Sequence, residues 1–146
     1  MTYNSSWKSE HKNLKEKDFI NKIHKKLPKE VYKWKINDPY HGGVPDTFYS
    51  GPAGFAFFEY KYIQQLPKRS TSKIKVDLSP QQRIWLQRQY DYNMPVYYII
   101  GAPDLCVVSQ DFQKKFFTLD EFLKHAVPIK EFIDKISNIC LHNKED

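Results

Sequence analysis

Three charged residues stand in surroundings that give charge little reason to be there. Glu59 and Lys61 lie two apart in Phe55-Ala56-Phe57-Phe58-Glu59-Tyr60-Lys61, a stretch otherwise apolar or aromatic, and Asp46 closes the run Gly42-Gly43-Val44-Pro45-Asp46. In a strand, residues two apart share a face, so Glu59 and Lys61 project together. If Gly51-Pro52-Ala53-Gly54 is a four-residue hairpin loop, Ser50 faces Phe55, Phe48 faces Phe57 and Asp46 faces Glu59. Directly opposed residues lie about 5 Å apart at Cβ and point to the same side. Two carboxylates then converge beside one ammonium group, which is repulsive unless one acid keeps a proton or a cation joins them. Magnesium is the expected cofactor, with manganese as a substitute, because it takes oxygen ligands and is typically held by one or two carboxylates plus phosphate oxygens. Asp46 and Glu59 would be the side-chain ligands and the Tyr60 carbonyl a third. The chemistry this suggests is hydrolysis of a phosphodiester without a covalent intermediate, the cation polarising the phosphate. Lys61 would orient or help deprotonate the attacking water and offset transition-state charge. A salt bridge at a strand end is the bland alternative, and it suits an aromatic strand pair poorly.

The elements that must position these groups follow from periodicity. From Leu14, the apolar residues Ile20, Ile23 and Leu27 recur at helical spacing until Leu27-Pro28 stops the helix. Val31 to Ile36 reads as a first strand ended by Asn37-Asp38-Pro39, and the hairpin Val44–Ser50 with Phe55–Tyr62 follows. Residues 64–77 are polar and basic and read as an exposed loop. Ser79 as N-cap and Pro80 at the first helical position open a helix to about Tyr90. Pro95–Gly101 and Leu105–Ser109 read as buried strands, Leu119–His125 as a helix, and residues 129–141 as a C-terminal helix with Ile129, Phe132, Ile133, Ile136 and Cys140 on one stripe. The order implies an α/β domain with a mixed central sheet flanked by helices, a single unit over residues 1–146.

Pro45-Asp46 followed by Glu59-Tyr60-Lys61 across a hairpin resembles the signature of the PD-(D/E)xK nuclease superfamily, whose core is restriction-endonuclease-like. Gly43-Val44-Pro45-Asp46 and Leu78-Ser79-Pro80-Gln81-Gln82-Arg83 with Trp85-Leu86 are similar to its VRR-Nuc and Holliday-junction-resolvase-like branches, over about residues 16–101. The resemblance implies a magnesium-dependent endonuclease acting on branched or recombination DNA, working as a homodimer or higher oligomer, of phage or mobile-element origin. It implies two further site residues. Glu16 matches the acid that members carry on the first helix and that reaches the metal directly or through water, since its spacing to Ile20, Ile23 and Leu27 puts it on their face. Gln82, with Gln81 as runner-up, is similar to the glutamine that hydrogen-bonds near the metal or scissile phosphate. A solvated helix-start glutamine and a surface-paired Glu16 are the plain alternatives.

Charge supports a polyanionic partner. There are 23 basic and 17 acidic residues, a formal net charge of +6, and the excess is clustered rather than dispersed. Lys68, Arg69, Lys73 and Lys75 follow the candidate catalytic strand and are expected on the DNA backbone, with Arg83 from the next helix and His41 from the preceding loop as further contacts. For His41, a loop residue without a specific role is the favoured alternative. Trp34, Trp85 and most Phe and Tyr residues are expected in the core rather than as base-stacking platforms, with Tyr40 and Tyr62 held open. Cys106 and Cys140 lack partners at metal-ligand spacing, no stretch reads as a signal or a membrane span, and a cytoplasmic protein of a bacterial cell or phage-infected host is expected. Three rivals stand beside this reading: a sequence-specific homing endonuclease of the same fold, a non-catalytic DNA-binding module, and a basic interaction protein that docks on replication or recombination factors without a metal.

Overall fold

Residues 15–38 and 40–142 are described by a computed structural model of the chain. A first helix, α1 (residues 15–26), places Phe19, Ile20, Ile23 and Leu27 in one apolar cluster, the stripe expected from their spacing. The strands β1 (Tyr32–Lys35), β2 (Thr47–Gly51) and β3 (Gly54–Tyr62) follow as an antiparallel meander. After β4 (Lys73–Lys75) and α2 (Pro80–Asp91) come β5 (Val96–Gly101), β6 (Leu105–Ser109), β7 (Phe116–Thr118), α3 (Leu119–His125), β8 (Val127–Pro128) and α4 (Ile129–Leu141). Six strands form one sheet in the order β1-β2-β3-β5-β6-β8, in which only β3 and β5 run parallel. The fold is therefore the mixed α/β type with helices on both faces.

Alternation along β3 divides the molecule. Ala56, Phe58 and Tyr60 face α1 and α4 in a cluster with Tyr49, Phe132 and Ile136. Phe57, Glu59 and Lys61 therefore project to the other face, where Leu86 of α2 packs with Val96, Tyr98 and Ile100. Asp46, immediately before β2, shares that second face because the register is the expected one: Ser50 pairs Phe55, Phe48 pairs Phe57 and Thr47 pairs Phe58, the outermost pair, and the same register carried one residue further sets Asp46 opposite Glu59. The turn itself is tighter than a four-residue loop, since Gly51 and Gly54 are themselves a pair and only Pro52 and Ala53 bridge them. Side chains at those glycines would collide with the carbonyls of Cys140 and Ile139 at the end of α4.

Two expectations are corrected here. The segment 64–77 is not wholly an exposed loop: β4 pairs antiparallel with β7, and Ile74, Val76 and Leu78 are buried. Lys73, Lys75 and Asp77 alternate with them on the solvent side, so the segment is half-buried strand with a charged outer face. Arg83 does not offer its charge to a partner outside the chain. It is only 9% exposed, and its guanidinium donates to the carbonyls of Phe112 (2.7 Å), Lys114 (2.8 Å) and Val76 (2.7 Å). It thereby ties α2 to the β4 and β7 region, satisfying three acceptors with one fork. Arg83→Met is expected to lower stability by on the order of 3 kcal/mol, because buried carbonyls lose their donor, while DNA affinity stays within about threefold. Thermal denaturation and a DNA titration check both halves.

Candidate active site

Helix α2 begins with a cap that also builds the site. Ser79 Oγ accepts from the Gln82 backbone N–H at 3.1 Å, and Gln82 Oε1 accepts from the Ser79 N–H at 2.9 Å, a reciprocal capping box. With its oxygen committed to the cap, the Gln82 amide turns its Nε2 outward, where it donates to Glu59 Oε2 at 3.0 Å. Gln82, rather than the runner-up Gln81, is thus the glutamine that reaches the acidic pair. Gln81 lies beneath the Gly42-Gly43 turn, which crosses so closely that a Cβ at Gly43 would strike the Gln81 carbonyl, and Gly43 adopts a φ of +89° that disfavours any other residue.

Glu59 is 4% exposed. Besides Gln82 it meets Lys61 Nζ at 3.4 Å from the same Oε2. Asp46 is held by two donors, Thr47 Oγ1 to Oδ1 at 3.0 Å and the Tyr60 backbone N–H to Oδ2 at 3.3 Å. The Tyr60 N–H is available because β2 stops pairing at Thr47 and Phe58. Phe57 and Ile63 donate towards β5, so by alternation the Tyr60 N–H and C=O both face the Asp46 edge. The Tyr60 carbonyl is therefore directed where the sequence reading wanted a third oxygen. Its phenol points the other way, hydrogen-bonded to the Tyr49 hydroxyl at 2.6 Å.

Burial, reinforced by the charge of Glu59, pushes the Asp46 carboxyl from its ordinary 3.8 up to about 8, against the hydrogen bonds from Thr47 and Tyr60 that favour the ionised form. Burial also raises Glu59, opposed chiefly by the Lys61 ammonium, and Glu16 adds unfavourable negative charge to both acids. The two acids are thus left short of positive charge by their surroundings. Oxygen donors in that condition fit a hard divalent cation, which supplies the missing charge without a proton. Among the described residues no group of three or more His, Cys, Asp or Glu side chains is assembled for a metal. Glu16 stands close enough to act on both acids through its charge.

Glu16, Lys61 and Tyr62 line a cleft of about 530 Å³ together with Lys73, Lys75 and Asp77. The first helix, β3 and the basic strand β4 therefore border one opening. A larger cavity of about 750 Å³ lies on the opposite face, beside α4 and Tyr97, and contains none of these groups. No protein-family model matches the chain, and no curated protein matches it by sequence. In three dimensions it is similar to Hjc, a Holliday junction resolvase from the archaeal hyperthermophile Archaeoglobus fulgidus, with a TM-score of 0.50 and 13% identity over 83% of this chain and 97% of that one. The chain has a resolvase-like, restriction-endonuclease-like fold. At that identity the likeness concerns the backbone, and the side chains must speak for themselves.

Of the remaining basic residues expected on DNA, Lys73 and Lys75 line that cleft. Lys68 and Arg69 are exposed, Lys73 lies over the Phe116 ring at 4.4 Å, and Lys75 pairs with Asp77 at 3.6 Å. His41 is exposed and held by Asp38, Nδ1 to Oδ2 at 2.8 Å, with its backbone N–H also on that carboxylate at 3.2 Å. Both contacts fasten the turn ahead of Gly42. Two contributors escaped the sequence reading. Thr47, fully buried, fixes one Asp46 oxygen, and Ser79 fixes the Gln82 amide. Ser79 was legible as a cap, but nothing in the sequence showed that its partner would be shared with Glu59.

Proposed function

We propose that this protein is a magnesium-dependent endonuclease that hydrolyses DNA phosphodiesters in branched or recombination DNA. The observation that carries the reading is the convergence of Asp46 and Glu59 on the α2 face of the sheet, with Lys61 at 3.4 Å and Gln82 at 3.0 Å from one Glu59 oxygen. Asp46, Glu59 and the Tyr60 carbonyl would hold the ion. Bound by these groups, magnesium would supply Lewis-acid chemistry to the phosphate and the departing oxygen. Lys61 places a cation beside the scissile phosphate, where negative charge accumulates in the transition state, and it orients the attacking water. Gln82 and Lys61 hold Glu59 in one orientation, so the carboxylate need not reorganise as the substrate arrives. Lys73 and Lys75 at the cleft, with Lys68 and Arg69 beyond it, bind the DNA backbone without reading sequence, which suits an enzyme that selects DNA by shape. The resolvase named above shares the fold, and the enzyme proposed here works as a homodimer that cuts two strands.

A substrate panel tests the reading. Magnesium-dependent cutting of a four-way junction, with a matched linear duplex left intact, is the expected result. A single discrete cut in long linear duplex would instead assign sequence-specific cleavage, and absence of cutting on every substrate with either magnesium or manganese would overturn the enzymatic assignment.

A further inference from the structure

The chain between β1 and β2 borders the acidic pair and carries a side-chain dyad that the proposed chemistry does not use. Its ends are drawn together where the Ile36 N–H donates to the Asp46 carbonyl at 2.8 Å, so it closes on a residue that would hold the ion. Its middle is pressed onto the first turn of α2. Side chains at Gly42 and Gly43 would collide with the Gln81 side chain and the Gln81 carbonyl, and Gln82 beside them reaches Glu59. Between these anchors stand Asp38 and His41. Asp38 accepts from the backbone N–H of Tyr40 at 2.9 Å and of His41 at 3.2 Å, and its Oδ2 lies 2.8 Å from His41 Nδ1. The Tyr40 N–H, helped by the His41 contacts, holds the Asp38 carboxyl below its ordinary range, so it is ionised and can only accept. Nδ1 therefore carries a proton, and Nε2 lies on the far side of a ring whose side chain is 77% exposed.

The dyad lies across the acidic pair from the lysine cleft. In the sheet order β1-β2-β3-β5, the cleft with Lys61, Lys73 and Lys75 opens beyond β3 towards Ile100 of β5, whereas the dyad belongs to the connection from β1 to β2 on the other side. Five residues of chain separate His41 from Asp46, a span of at most about 18 Å. A DNA strand whose scissile phosphate meets the two acids, and whose backbone continues over the lysines, therefore passes the dyad on its other flank. Phosphate oxygens there meet a ring whose inner nitrogen is already fixed. Once a phosphate accepts from Nε2, the imidazole has an acceptor on each nitrogen and carries both protons, which makes a charge-assisted contact of set direction. Forming the turn needs only the two backbone N–H bonds to Asp38, which Ala at position 41 would keep. We propose that His41, oriented by Asp38, grips a backbone phosphate near the scissile one, on the side opposite Lys73 and Lys75, so that the strand is held on both sides of the bond to be cut. The inference rests on the nuclease reading above.

The full chain, kept in chelator, is titrated against a labelled four-way junction over a range of salt. His41→Ala is expected to weaken binding by about fivefold or more and to make the slope of log affinity against log salt shallower by about one, as one lost phosphate contact should. His41→Arg should restore most of both. Asp38→Asn separates orientation from charge. It removes a negative charge, which by itself tightens binding to a polyanion, yet binding should weaken, because the amide keeps an oxygen for the turn but sets an NH2 against Nδ1. Junctions with single methylphosphonate linkages then locate the contact. The cost of His41→Ala should vanish at one neutralised phosphate, within about three linkages of the cut that the wild type makes in magnesium. Circular dichroism confirms that each variant is folded. Unchanged affinity and salt slope in His41→Ala, tighter binding by Asp38→Asn, or a cost that no single neutralised phosphate near the cut removes would overturn the proposal. Normal cutting with unaffected binding removes the dyad alone, whereas the expected binding losses with no cutting remove the nuclease reading and leave a phosphate-binding dyad.

Discussion

Lys61→Ala should reduce single-turnover cleavage of branched DNA by about a thousandfold, the loss expected when a preorganised charge is withdrawn from a developing oxyanion. Asp46→Asn should do the same by removing a metal ligand. Neither change touches the basic rim, so DNA binding by both variants should stay within about tenfold of wild type. The separation matters because Lys61 also sits 3.4 Å from Glu59, and a merely structural ion pair would show itself differently. Its loss would change stability and leave turnover intact. Equal cleavage by the wild type and both variants would dismiss the mechanism, and a parallel collapse of binding and cleavage would point to misfolding or to a purely electrostatic role.

The second large effect concerns protons. Burial and Glu59 push the Asp46 carboxyl up to about 8 from an ordinary 3.8, so between those values the metal-free folded protein keeps a proton that the unfolded chain releases. The stabilisation is complete below about pH 4 and is lost progressively as pH rises through about 8. Each tenfold difference in proton affinity corresponds to about 1.4 kcal/mol, so the loss amounts to several kcal/mol across that window. Denaturant titrations in chelator at acid, neutral and mildly alkaline pH should show it, and Asp46→Asn should flatten the slope and leave the alkaline metal-free protein more stable than wild type. Magnesium must displace that proton, so at neutral pH binding should release about one proton and tighten with rising pH up to about 8. A flat stability profile with no proton uptake or release would mean that Asp46 is not in the environment described.

The acidic pair was legible in the sequence because the hairpin register depends only on which residues sit at its centre. Pro52 and Ala53 remain central whether Gly51 and Gly54 are counted as loop or as the last pair, so Asp46 meets Glu59 in either description. Helices with strong stripes were legible for the same kind of reason: Ile129, Phe132, Ile133, Ile136 and Cys140 are all buried on α4. The segment 64–77 misled because its charges were read before its alternation, in which Ile74, Val76 and Leu78 form one apolar side. Strands as short as β7 and β8 carry almost no local periodicity and exist because a neighbour offers an edge. The charge of Arg83 suggests a DNA contact, yet it stands three residues before the buried Leu86 and so shares its face. The inward turn depends on the Val76 carbonyl and on those of Phe112 and Lys114, 29 and 31 residues away, which no local signal discloses. Trp34 failed in the opposite direction, since a large ring in a strand is usually covered, and here it lies on the edge strand of the sheet, half exposed.

The central claim is that Asp46 and Glu59 share one divalent ion. Crystals of the protein grown with manganese and an uncut DNA analogue, measured at the manganese absorption edge, test it most directly. An anomalous peak within ligand distance of both carboxylates and of the Tyr60 carbonyl is the expected result. A peak elsewhere, or none between the two acids while DNA occupies the cleft, would contradict it.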